Sequence, residues 1–292
     1  MTGRYFHIVF SIPHLLNPLF YINQQQCYKL LFDAASQALR NAARNPGFLG
    51  AETGAVAVLH TWEQALSYHP HIHMLVPAGG LSEDGMEWVS APKKFFVPVK
   101  ALSKMFRGIL VRLLKQLMDE NKLKLPGGFS CFTLFKQKLY EKNWNVYSKK
   151  ALGGITGVLC YLGRYSHRVA ISNSRLVSID NNKVTFRYKN YRKRARQETI
   201  TISCTEFARR FLMHILPAGF YKIRYYGLLA SANSNTKRQQ AIALAGKTMW
   251  LPILEGLSAY EVYRVLKGDG PLCCPKCKKG IMAKYKTEPV PG

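Results

Sequence analysis

Residues 5–12 (YFHIVFSI) run together β-branched and aromatic side chains and stop at Pro13, which predicts a strand. Apolar positions then recur at helical spacing. Tyr28, Leu31, Ala34, Ala38 and Ala42 make one stripe over residues 23–43, and Asn45-Pro46-Gly47 ends it. Residues 55–61 and 71–77 read as two strands joined by a polar connection and closed by Gly79-Gly80, a plausible antiparallel pair. A basic amphipathic helix follows over residues 99–121, broken by Pro126-Gly127-Gly128. The apolar stretch 155–165 reads as a helix in spite of Gly157 and Gly163, each of which costs roughly 1 kcal/mol relative to alanine. Residues 168–172, 175–179 and 183–188 alternate as strands do, with Asp180-Asn181-Asn182 as a turn. Residues 206–215 are expected to be helical, 221–229 to be a strand and 258–266 to form a short helix.

Strands mixed with helices, without a regular βαβ beat or a glycine-rich phosphate loop, indicate an α+β fold with a largely antiparallel sheet. From Ser231 the composition turns polar and basic. The expected organisation is therefore a main domain over residues 1–230 and a basic extension over residues 231–292.

Composition changes the picture in one direction. The chain has 292 residues with an apolar fraction of 48%, enough for a full core, which excludes disorder throughout. Lys plus Arg number 42 against 16 for Asp plus Glu, and the net charge of +26 implies a polyanionic partner. A membrane surface, a nucleic acid, or the packing role of ribosomal and chromatin-like proteins all fit that charge. No run approaches 18 apolar residues and the first 13 are too short and too polar for a signal peptide, so no membrane span and a cytoplasmic location are expected. Cys27, Cys131, Cys160 and Cys204 are scattered and read as reduced, packed thiols; Cys273, Cys274 and Cys277 cluster.

The chemistry concentrates in a few places. In His69-Pro70-His71-Ile72-His73, residues two apart on a strand share a side, so His71 and His73 present two imidazoles to one metal; the alternative is a solvated polar face. His60 on the preceding strand is the first choice for a third ligand, with Glu63 and Gln64 behind it. Tyr161 and Tyr165 lie four apart on the expected helix, so both phenols emerge on one face, where they are either packed residues or nucleophiles. A phenol oxygen can attack a phosphodiester when its proton is removed and a metal neutralises the charge that develops. Arg164, His167 and Arg168 stand ready to hold a phosphate beside them.

Residues 188–196 (YKNYRKRAR) interleave Tyr188 and Tyr191 with Lys189, Arg192, Lys193, Arg194 and Arg196. That mixture suits a hairpin tip that tracks a nucleic-acid backbone and stacks bases, though a charge run is also what a solvated face looks like. Cys274-Pro275-Lys276-Cys277 is half of a zinc-ribbon knuckle; with no second pair downstream, zinc at Cys274 and Cys277 needs ligands from elsewhere.

With the histidine pair upstream and the tyrosine pair downstream, the chain resembles the two-tyrosine HUH transposases of bacterial rolling-circle insertion sequences, the insertion-sequence-ninety-one type. The motif of histidine, hydrophobic residue, histidine is matched by His71-Ile72-His73 within HPHIHMLVPAGG. The likeness continues through YFHIVFSIP at residues 5–13, HTWEQAL at 60–66, YLGRYSHRVAISNSRL at 161–176 and EFARRFLMHILPAGFYKIRYYGLL at 206–229. Relative to that family the chain starts almost at the first strand, without the usual N-terminal zinc-binding segment.

The resemblance implies an HUH-endonuclease palm, an antiparallel RRM- or ferredoxin-like sheet that carries the histidines, flanked by helices with the tyrosine helix packed across. It implies nicking and rejoining of single-stranded DNA at transposon ends and target, with a tyrosine joined to the 5′ phosphate and a free 3′ hydroxyl. Tyr161 and Tyr165 match the paired nucleophiles and His71 and His73 the ligands of a divalent ion, Mg²⁺ or Mn²⁺. The expected setting is cytoplasmic and nucleoid-associated. Two other readings stay open: a catalytically silent, basic nucleic-acid-binding derivative of such an enzyme, and a metal-dependent phosphoesterase that activates water.

Overall fold

A computed structural model describes residues 4–92, 97–127, 131–149, 170–190, 193 and 195–246. The elements in chain order are β1 (Tyr5–Ser11), α1 (Asn17–Ile22), α2 (Gln24–Arg44), β2 (Gly54–Trp62), β3 (Tyr68–Pro77), β4 (Gly79–Leu81) and β5 (Trp88–Ser90). They continue with α3 (Val99–Asp119), α4 (Phe132–Glu141), β6 (Val146–Lys149), β7 (Leu176–Asp180), β8 (Lys183–Asn190), β9 (Arg196–Ser203), α5 (Cys204–Leu212), β10 (Ile223–Gly227) and α6 (Lys237–Ala245). The fold is α+β. Its centre is a five-stranded sheet in the order β10-β2-β3-β1-β6, antiparallel at every pairing.

The period of two decides which side of the sheet is core. On β1, Phe6, Ile8 and Phe10 are buried while His7, Val9 and Ser11 between them are only partly so. On β3, Ile72 and Met74 alternate with His71 and His73 in the same way, and the register Phe10↔Ile72 and Val9↔His73 aligns the two rows. The apolar row packs in one core with Leu31, Ala35 and Ala38 of α2 and with Phe106, Leu110 and Leu114 of α3. The histidine row is left on the opposite face of the sheet.

The helix ends follow from local chemistry. α3 stops at Asp119 because Asn121 takes a left-handed φ of 52°; its N–H bonds to Met118 O at 3.0 Å, and that of Lys122 bonds to Leu117 O at 2.9 Å. α5 starts two residues before the expected position because Ser203 caps it, accepting from the Glu206 N–H at 3.1 Å, and it ends at Leu212 rather than at 215. The turn at Asp180-Asn181-Asn182 joins β7 to β8 with both asparagines at positive φ, 47° and 59°, the geometry a two-residue hairpin demands.

A strand expected over 168–172 is absent from its described part. Ala170 is buried at a φ of 46° and Asn173–Arg175 is a 3-10 turn, so the chain bends there rather than extending. The helices expected over 155–165 and 258–266 lie outside the described residues. The chain divides into two compact units, Met1–Met249 and Trp250–Gly292. Within the first unit, Ala241 and Ala245 of α6 are buried with Leu81 and Leu228. Among the described residues no helix is long and apolar enough to cross a membrane.

Candidate metal centre and nucleic-acid surface

His60, His71 and His73 meet on the face of the sheet away from the large helices. Strands β2 and β3 pair so that His60 stands opposite His71, and His73 lies two residues further along β3 on the same side. One ligand atom from each of the three falls within 4.8 Å of the others, with His60 buried and the other two partly buried. The rings sit 4.2 Å apart for His60 and His73, 4.9 Å for His71 and His73 and 5.4 Å for His60 and His71.

The surroundings prepare these imidazoles for a cation. Burial holds the pKa of His71 down to about 4, against a weaker opposing pull from its bond to the His69 backbone, and burial places His60 and His73 well below the ordinary histidine value. Three neutral rings at neutral pH are what metal ligation requires. Hydrogen bonds then select the nitrogens. His71 Nδ1 lies 2.7 Å from the His69 carbonyl, so that nitrogen carries the proton and Nε2 keeps its lone pair. His73 Nδ1 is 2.9 Å from Nε2 of His7 on β1, and the two rings lie nearly coplanar, 7° between their planes and 5.1 Å between their centres. His60 stacks on Trp62 at 4.9 Å. The donor set fits one divalent ion with coordination positions left over.

The two other candidates for a third ligand go elsewhere. Glu63 sits beside His14 and His69, with its Oε1 3.9 Å from a nitrogen of each. Gln64 Oε1 accepts from the Lys189 N–H at 3.4 Å, tying the β2–β3 turn to β8. That turn is held from several sides. His214 Nε2 donates to Leu66 O at 3.1 Å, Arg210 Nη1 donates to Ala65 O at 3.0 Å, and the Arg175 guanidinium donates to Gln64 O. Leu66, fully buried at a φ of 61°, is the strained residue these bonds secure.

The described ends of the basic segment pair with each other, Asn190 at the end of β8 lying opposite Arg196 at the start of β9. Lys189, Lys193 and Arg196 are exposed there. They are not equivalent. Glu198 Oε1 pairs with Lys193 Nζ at 2.9 Å, while its Oε2 accepts from the Tyr188 hydroxyl at 2.8 Å and from Asn190 Nδ2 at 2.9 Å. Those bonds, Asn190 first, hold the carboxyl down to about 2. Tyr188 and Lys193 are thus engaged within the hairpin. Tyr161, Arg164, Tyr165, His167, Arg168, Arg192, Arg194, Cys274 and Cys277 lie outside the described residues.

Sequence reasoning did not single out His7, Glu198 or His214. The signal for His7 was present: on a strand whose apolar residues are Phe6, Ile8 and Phe10, a histidine in the alternate row must face the other side of the sheet.

An antiparallel sheet that brings three imidazoles together, with an exposed basic hairpin in the same compact unit, defines a protein with a candidate metal centre and a positively charged surface. The sequence family described as "Putative transposase" (Y2_Tnp) matches residues 54–237, which include all three histidines, and the chain belongs to that family. It is 42% identical to "Putative transposase y4qJ" of Sinorhizobium fredii (strain NBRC 101917 / NGR234), over 97% of this chain and 73% of that protein. It is 32% identical to the "Transposase for insertion sequence element IS801" of Pseudomonas savastanoi pv. phaseolicola, over 77% of this chain but only 54% of the relative. Among solved structures, the conjugative relaxase TrwC in complex with mutant OriT DNA aligns over 70% of this chain and 71% of its own, with 14% identity and a TM-score of 0.34.

Proposed function

We propose that the protein is a DNA transposase that nicks and rejoins single-stranded DNA through a tyrosine-linked 5′ phosphate, at the ends of a mobile element and at its target. The observation that carries this reading is the histidine cluster: one donor atom each from His60, His71 and His73 within 4.8 Å, on adjacent strands, in a chain of a transposase family. A divalent ion held there, Mg²⁺ or Mn²⁺, supplies Lewis acidity at the scissile phosphate. The Oη of Tyr161 or Tyr165 attacks phosphorus as its proton passes to solvent, and the bond to the 3′ oxygen breaks as that oxygen takes a proton from solvent to give a 3′ hydroxyl. Reversal of the same step by a 3′ hydroxyl of another strand restores the phosphodiester and frees the tyrosine, so no external energy source is needed. The exposed Lys189 and Arg196, with Arg192 and Arg194, hold the strand by its phosphates.

The test is nicking of a single-stranded oligonucleotide carrying the element's end, in Mn²⁺, by the parent and by His71→Ala and His73→Ala. Both variants are expected to lose at least a hundredfold in rate and to lose Mn²⁺ binding while keeping the parental circular dichroism. Nicking at the parental rate by folded variants contradicts the metal's role.

A further inference from the structure

Beside the triad stands a second set of donors that the proposed cutting reaction does not use. His14 lies in the 3-10 turn after β1, Glu63 in the β2–β3 turn and His69 on β3. One ligand atom from each falls within 4.8 Å of the others. His14 Nε2 and His69 Nδ1 are each 3.9 Å from Glu63 Oε1, and the two rings are 4.8 Å apart. His69 Nδ1 is buried and makes no hydrogen bond, although a carboxylate faces it. At 3.9 Å the three groups stand too far apart to satisfy one another. The spacing suits an intervening ion: metal bonds of roughly 2.0–2.2 Å put donors about 3–3.6 Å apart, which a small swing of the exposed His14 or Glu63 side chain provides.

The frame is built to hold the group. The turn that carries Glu63 is fixed through Leu66 O by His214, through Ala65 O by Arg210 and through Gln64 O by Arg175. His14 is steadied by Asn17, whose Nδ2 is 3.2 Å from its Nδ1, while the same Nδ2 donates to Tyr68 O at 2.8 Å. The ring nitrogen facing Glu63 is therefore the other one, Nε2.

We propose that His14, Glu63 and His69 form a second divalent-metal site, separate from the triad. Two imidazoles and one carboxylate select zinc, cobalt or a similar first-row ion over Mg²⁺. With His14 and Glu63 exposed, its remaining positions face solvent and accept water or a phosphate oxygen. His69, His71 and His73 alternate along one side of β3, with the rings of His69 and His71 5.6 Å apart, so the two sites are neighbours on one strand.

The test is the stoichiometry of Co²⁺ binding, by equilibrium dialysis and visible absorption, in the full chain with Cys273, Cys274 and Cys277 changed to Ser so that the cysteine cluster does not contribute. Two ions per chain are expected. His14→Ala and Glu63→Ala, both at exposed side chains and both checked for parental circular dichroism, are each expected to leave one ion, which His73→Ala then removes. A single ion in the parent, or two that persist in His14→Ala and Glu63→Ala, overturns the proposal. A chain that nicks DNA yet binds one ion refutes the second site alone and leaves the cutting reaction standing.

Discussion

At the scale of single residues, the site depends on which nitrogen of each imidazole carries the proton. His7 bears on this for His73: its Nε2 sits 2.9 Å from His73 Nδ1, with the two ring planes within 7° of each other. His7→Phe keeps an aromatic ring at the position and deletes the hydrogen bond. Mn²⁺ affinity measured by calorimetry is expected to fall about 10- to 100-fold, with the urea midpoint little changed. Parental affinity in this variant removes His7 from the account. The buried histidines also make stability depend on pH. His214, whose Nδ1 is 3.2 Å from Thr61 Oγ1 and whose Nε2 donates to Leu66 O, is depressed to about 4, chiefly by burial. A depressed histidine is neutral in the folded state while the unfolded chain takes up its proton first. Its contribution is therefore complete above about 6.5 and is lost as pH falls from there toward 4, on the order of 3 kcal/mol for one such group. Urea titrations of the metal-free protein between pH 7 and pH 4 should show this loss, and His214→Gln should reduce it; equal pH dependence in the two proteins contradicts the assignment.

At the scale of elements, the strands and helices with a long, clean period were legible in the sequence. β1, α2, β2, β3 and α3 declared themselves, since each has one row or stripe buried against the same core. The shorter pieces did not. β6 is a four-residue edge strand, α4 buries only Phe135 and Leu139, and the β4–β5 hairpin pairs three residues, so none carries enough period to stand out. β9 alternates Thr199, Ile200, Thr201 and Ile202, but its beginning reads as part of the basic tip. The candidate metal site was legible in part. His71 and His73 follow from strand geometry alone, whereas the choice of His60 over Glu63 and Gln64 depends on the register His60↔His71, which only the paired strands reveal. The hairpin carries a prediction of its own. Because Glu198 engages Lys193, neutralising Lys189 and Arg196 should lower the salt slope of DNA binding by about two units, while Lys193→Gln alone should change it by well under one. Glu198→Gln, which releases Lys193, should tighten binding at low salt. Equal effects from Lys193 and Arg196 would show that the internal ion pair does not persist on DNA.

At the scale of the whole molecule, the charge of +26, the basic hairpin and the three imidazoles are all suited, under the proposed function, to one kind of ligand. Excess positive charge concentrates a polyanion at the surface, and the sheet gathers three imidazoles that could hold a metal ion. The division of labour is physical: α2 and α3 stabilise the sheet from one side, which leaves the opposite row of β1, β2 and β3 available for polar groups. Under the proposed function, cutting passes through a covalent bond between tyrosine and DNA. Its most direct measurement is mass spectrometry of the denatured product after incubation with a single-stranded element end and Mn²⁺, for the parent, Tyr161→Phe, Tyr165→Phe and the double variant. The account predicts a nucleotide on a peptide containing Tyr161 or Tyr165 in the parent, a surviving adduct in at least one single variant, and none in the double variant. An adduct on any other residue, its persistence in the double variant, or cleavage without an adduct in the parent would contradict it.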